Sequence, residues 1–264
     1  MKILFHLLLI IGLTIITQIG GIVYILTLLV FQKIKNKTFL KGFTLFISLY
    51  SIATFIVTPT LAPIFGREKI KETAVLEAHS FFYKFANRNY VKPELQELLD
   101  KTSKNYSKHN KNMKLIHLDA SFPFFNKFPL LPHLSHNDGK KIDISLVYLD
   151  AKGELTNKKP SISGYGVFEN PSIKEHNQTL TCQQRGYWQY DFPKYLTLGT
   201  INKDLTFSNN GTRNLVVEFL KNKNLSKVFI EPHLKSRLNL SNNKIRFHGC
   251  GAVRHDDHNH IQIK

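Results

Sequence analysis

The sequence predicts an α+β protein carried on membrane helices, and three observations predict it. Two long apolar runs open the chain, and no acidic residue occurs before Glu68. Short segments that alternate polar and apolar residues fill much of the remainder, separated by stretches rich in Gly, Pro and Asn. Helical spacing recurs between those segments, so helices and antiparallel strands share one soluble domain. The 264 residues suffice for such a domain plus an anchor and are too few for two large domains.

Taken in order, Ile3–Phe31 is the first apolar run, with Gln18, Gly20 and Gly21 near its middle. It is long enough to cross a bilayer as one tilted helix. A cleaved signal peptide fits less well, because the charged start is only Lys2, the run exceeds a signal core and no A-x-A-like site follows. The second run, about residues 42–65, ends near Pro59 and Pro63, where a helix kinks or stops. Residues 1–65 thus read as an anchor of two transmembrane helices. The loop between them carries Lys33, Lys35, Lys37 and Lys41 and no acid. The positive-inside rule assigns that loop to the cytoplasm, so both chain ends and the soluble domain face outward.

Residues 66–110 read as a helical stalk or packing layer. Ala74, Ala78, Phe82 and Phe85 recur at helical spacing, Pro93 can open a second helix over 94–99, and the Lys- and Asn-rich stretch 103–112 reads as a loop. The soluble domain is expected over 111–264. Lys141–Tyr148 (KIDISLVY) reads as a half-buried strand, 227–230 and 260–263 as further strands, and 215–221 as a helix. Residues 151–210, with the lone Trp188, read as a long irregular insertion.

The chain is basic, with 36 Lys and Arg against 19 Asp and Glu. Such a field suits an anionic partner such as nucleic acid, phospholipid headgroups or an acidic wall polymer, and it also suits a merely soluble surface. An outward-facing domain argues against nucleic acid. The two cysteines, Cys182 and Cys250, make no C-x-x-C pair, which argues against a zinc finger or a thioredoxin-type site. They are open to two readings: one disulfide outside the cytoplasm, or two buried thiols.

Histidine is the most informative residue. His248, His255, His258 and His260 crowd the end of the chain, in a tail reading RHDDHNHIQIK. Upstream, PHLSHNDGKKIDI holds His133, His136 and Asp143. A catalytic zinc takes three protein ligands and keeps one position for water. His136 and Asp143 flank a glycine-containing turn, and residues 258 and 260 on a strand project to one face. His260 with His136 and Asp143 makes a His–Asp–His set that would acidify a bound water. Asp257 and His258 are candidates for the general base, and His255 for a donor to an oxyanion. A His-rich tail can also bind metal adventitiously or simply be solvated.

H-x6-D followed far downstream by H-x-H resembles the zinc peptidase superfamily of D-alanyl-D-alanine carboxypeptidases, D-alanyl-D-alanine dipeptidases and penicillin-insensitive murein endopeptidases. The endopeptidase pattern, G-H-x-S-H-x-x-G-x-x-x-D with a distal H-x-x-H-x-H, is matched by His133, Ser135, His136, Gly139 and Asp143, then His255, His258 and His260. Pro132 stands where the pattern has glycine, and the membrane helices set this chain apart from soluble periplasmic relatives. The resemblance implies a small antiparallel-sheet peptidase-like domain with Zn2+ on His136, Asp143 and His260. It further implies hydrolysis of peptidoglycan peptides from the bacterial inner membrane, on the side of the periplasm or cell wall. In some relatives the base is the acid three residues before the last ligand, here Asp257; in the endopeptidases the first histidine of H-x-H, here His258, takes part. Both remain open, as does the choice among Arg185, Arg246 and Arg254 for reading substrate carboxylates. A non-catalytic wall-binding scaffold with a peptidase-like fold, or a metal-handling membrane protein, would share many of these features.

Overall fold

A computed structural model describes residues 2–264. The helices are α1 (Lys2–Thr17), α2 (Gly20–Phe31), α3 (Phe39–Ile52), α4 (Thr58–Leu61), α5 (Phe81–Phe85), α6 (Pro93–His109), α7 (Gln178–Gln184), α8 (Asn209–Leu220) and α9 (Pro232–Arg237). The strands are β1 (Glu68–Lys69), β2 (Leu76–Ala78), β3 (Tyr90–Val91), β4 (Leu115–His117), β5 (Lys141–Ser145), β6 (Tyr148–Leu149), β7 (Leu155–Thr156), β8 (Thr206–Phe207), β9 (Leu225–Phe229), β10 (Ile245–Arg246) and β11 (His258–Ile263). The α+β class is as expected. Two compact units form: residues up to 70 with 81–93 and 119–140, and residues 71–80 with 94–118 and 141–264.

In the first unit, the run expected as one helix over 3–31 is two. The chain turns at Gln18, whose φ is +67°. The Thr17 hydroxyl donates to the Leu13 carbonyl at 2.7 Å and accepts from the Gly20 amide at 2.8 Å, so one side chain serves the end of α1 and the start of α2. Gly20 and Gly21 let the two helices close on each other: a Cβ on Gly21 would lie 2.0 Å from the Thr14 hydroxyl. His6 and Tyr24 are hydrogen-bonded across this hairpin at 2.7 Å.

The second run behaves differently. From Phe39 to Phe65 it is one helical stretch of 27 residues, long and apolar enough to cross a membrane. Pro59 does not end it. The helix widens into a π-turn over Ala53–Val57, just ahead of the ladder bond that Pro59 cannot donate. Gly66, at φ +70°, stops the helix.

Residues 119–140 are irregular but pinned. The buried Arg67 guanidinium donates to the Phe122 carbonyl, to Asn126 Oδ1 at 2.7 Å and to the Asn137 carbonyl at 3.1 Å. Buried Arg88 grips Asp119 at both carboxylate oxygens, at 2.5 and 2.8 Å. The Phe124 amide donates to Gln18 Oε1 at 3.0 Å, and Phe124 packs with Ile19, Val23, Tyr50 and Phe85.

The second unit is built on a six-stranded sheet in the order β10-β9-β11-β5-β4-β2, beside a small sheet β7-β6-β8. The expected antiparallel pairing holds in the middle of the large sheet; β2 and β10 at its edges run parallel to their neighbours. Ile142, Ile144, Ile261 and Ile263 are buried on one face of the β5–β11 pair. The alternating residues Asp143, Ser145, His258 and His260 share the other face.

Residues 66–110 hold the packing helices α5 and α6 but also β1, β2 and β3, so the segment is not helical throughout. Leu76 is fully buried and pairs with Leu115, so β2 joins the sheet where Ala and Phe spacing had suggested helix. α6 runs on to His109, through the stretch expected as a loop. Its buried stripe is Leu95, Leu98, Leu99, Thr102 and Tyr106, and the Lys and Asn residues form its wet face. The expected boundary at residue 111 therefore falls inside a compact unit rather than at its edge.

Candidate metal centre

The β5–β11 register sets Asp143 directly opposite His260. Asp143 Oδ1 lies 3.0 Å from His260 Nδ1 and 3.5 Å from His258 Nε2, and all three side chains are buried. The Tyr165 hydroxyl donates to the other oxygen, Asp143 Oδ2, at 2.8 Å, and its ring stands edge-on to His258 at 5.1 Å. Tyr165 comes from the insertion, on a tight turn that needs Gly166 at φ +80°.

Asp257 is held at both ends. Its Oδ1 lies 2.5 Å from His258 Nδ1, and its Oδ2 accepts from the Gly166 amide at 2.6 Å. Burial alone would push the His258 pKa down, but the charges of Asp143 and Asp257 outweigh it and raise the value to about 9. His255 goes the other way. Burial first, then the neighbouring His258, His260 and His248, hold it well below the ordinary histidine range.

His136 sits in the pinned 119–140 stretch. Its Nδ1 is 2.7 Å from the Ala120 carbonyl, which can only accept, so Nδ1 carries the proton and Nε2 the lone pair. The His133 ring is 5.4 Å from that of His136, and its Nε2 is 3.8 Å from Asp119. Ligand atoms of His136, Asp143 and His260 lie within 4.8 Å of one another, and so do those of His133, Asp143 and His258. Either buried group can hold a metal ion. Two imidazoles and a carboxylate are a donor set that suits a divalent transition metal.

A second buried polar cluster forms around the residues just ahead of β11. Glu231 accepts from the Tyr190 hydroxyl at 2.7 Å and from the His255 amide at 2.9 Å. Burial, reinforced by Asp256, raises its pKa to about 7. Arg254 is committed here rather than to a ligand: it is buried, paired to Asp256 at 2.5 Å and to Asp191 at 3.0 Å. Arg185 and Arg246 are exposed. Neither Tyr165 nor Glu231 belongs to any motif; the only sequence signal for Tyr165 is the glycine on either side of it.

Cys182 and Cys250 form a disulfide. It ties α7 to the loop that leads into β11. The bridge closes 68 residues of sequence separation, so Cys182→Ser is expected to cost about 2–4 kcal/mol. Unfolding midpoints with and without reductant check this: reductant should lower the wild-type midpoint and leave the variant's unchanged. No protein-family model and no curated protein matches the chain.

Proposed function

We propose that the protein is a membrane-anchored zinc hydrolase that cleaves peptide bonds in bacterial peptidoglycan, outside the inner membrane. The observation that carries this reading is the buried grouping of His136, Asp143 and His260, with the bonded Asp257–His258 pair at the start of the strand that bears His260. His136, Asp143 and His260 would hold the ion, which when bound supplies an electrophile and an acidified water. Tyr165 fixes the Asp143 carboxylate. Asp257 orients His258, leaving Nε2 as the atom that takes or gives a proton. This favours His258 over Asp257 as the residue that exchanges the proton, because both oxygens of Asp257 are already engaged. At its raised pKa His258 starts as the acid in the metal-free protein and would act as base once a bound cation lowers that value. His255, kept neutral by burial and its neighbours, suits the role of oxyanion donor.

To test it, the full chain in mild detergent is assayed for metal and incubated with purified peptidoglycan, and the products are read by mass spectrometry. About one zinc per chain and released peptides are expected, both lost in His136→Ala and in His260→Ala. Wall binding without hydrolysis in the zinc-loaded protein would favour the scaffold reading instead.

The anchor part of the proposal differs from the two-helix expectation. Phe5 and His6 of α1 line the same cavity as Lys37 and Thr38, so the start of α1 lies at the lysine-bearing loop. We place Lys2 with Lys33, Lys35, Lys37 and Lys41 on the cytoplasmic side, which strengthens the positive-inside argument and moves the N-terminus inward. The disulfide agrees with an oxidising compartment for the other unit. The thiol of a Lys2→Cys variant is expected to resist an impermeant reagent applied from outside; prompt labelling would reverse the topology.

A further inference from the structure

The first three helices leave a cleft that the peptidase reading does not use. It is a cavity of about 530 Å³ lined by residues of α1, α2, α3 and the loop before α3. That volume falls in the range of small-ligand sites, about 300–1,000 Å³. Its walls include Phe5, Leu9, Leu13, Leu28, Phe43 and Phe46. The polar groups inside are turned onto each other or onto backbone: His6 bonds Tyr24 at 2.7 Å, and the Thr27 hydroxyl donates to the Val23 carbonyl at 2.8 Å. Such walls offer little to water and suit a hydrocarbon.

The rim has the opposite character. Lys37 and Thr38 line the cavity at the start of α3. Thr38 accepts from the Lys41 amide at 3.3 Å and caps that helix, and the Lys41 ammonium turns back to the Asn36 carbonyl at 3.1 Å. Lys37 is exposed, and no acid lies near it in sequence, the first being Glu68. A cationic rim at a helix N-terminus favours an anion. Apolar walls beneath a cationic rim suit an amphiphile with a hydrocarbon chain and one negative head. A protein helix about 10 Å across would fill the space with roughly one turn, too little to be held. We infer that this cleft binds one anionic phospholipid, with one of its two acyl chains between α1, α2 and α3 and its phosphate at Lys37.

The test uses the full chain in nanodiscs holding equal phosphatidylglycerol and phosphatidylcholine, released into native mass spectrometry. One retained lipid is expected, with phosphatidylglycerol favoured about fivefold, the effect of one lysine at a membrane surface. Lys37→Glu is expected to keep the adduct and lose the preference. Leu9→Trp fills the cavity and is expected to lose the adduct. No retained lipid, or a lipid adduct without headgroup preference that both variants leave unchanged, would overturn the assignment and mark the cleft as ordinary lipid contact. The result stands apart from hydrolysis, which a lipid-free but active protein would still show.

Discussion

Asp143→Asn is expected to abolish metal binding and peptide hydrolysis together. Among the described residues, both three-residue groups that can hold a metal contain Asp143, so neither survives its loss. Asparagine keeps the shape and the strand pairing, but removes the negative charge and replaces one acceptor oxygen with a donor. Changing a residue that merely supports a ligand costs about 10–100-fold in metal affinity, and losing a ligand should exceed that. Metal content after dialysis and product release from peptidoglycan give the two readouts. A third is independent of metal. Asp143 heads the charges that raise His258 to about 9. In the metal-free variant the His258 titration should therefore move to lower pH, visible by NMR. An Asp143→Asn protein that still hydrolyses peptidoglycan would remove the mechanism.

Asp257→Asn is expected to leave zinc bound and lower kcat by about 10²–10⁴-fold. The reason is the two-sided grip on this carboxylate. The substituted side chain would have one acceptor oxygen and one donor amide. If the oxygen keeps the Gly166 amide, the NH₂ faces His258 Nδ1 and forces it to accept, moving the proton to Nε2. The base is then present in the wrong tautomer. If the amide flips, the Gly166 N–H is left facing a donor and the turn bearing Tyr165 is disturbed. His258→Ala should cost at least as much. If instead His258→Ala is harmless while Asp257→Asn is inactive, the carboxylate is the base and the imidazole only supports it. Measured zinc occupancy separates either result from a lost centre.

That His258 and His260 share a face was legible in the sequence because strands have a period of two; that β11 pairs with β5 and sets His260 opposite Asp143 was not. Once the two strands are paired, the isoleucines of KIDIS and HNHIQI lie on one side and Asp143, His258 and His260 on the other. The hinge at Gln18 was not legible in the same way. One long helix and two short ones bury the same apolar composition, and the choice rests on a left-handed turn and one threonine hydroxyl. In 68–80, helix-like spacing lost to pairing with residues 115–117, a partner that local pattern cannot reveal. The polar stretch 103–112 misled in reverse: Lys104, Asn105 and Lys108 are simply the wet face of α6, which ends at His109. Arg254 read as a free cation although Asp256 stands two residues on; local pattern does not show that its side chain turns back to Asp256 and across to Asp191, 63 residues away.

The sheet order has a consequence for how the protein comes into being. β11 lies between β5 and β9, although both of those strands are synthesised before it. A chain emerging from the ribosome or the export channel therefore carries two open strand edges facing an empty slot until residues 258–263 arrive. One of the histidines that would ligate the metal, His260, travels on the piece that fills the slot. Chains trimmed ahead of residue 258 lose the centre and bare both edges in one event, so enzymatic silence and a tendency to aggregate arrive together.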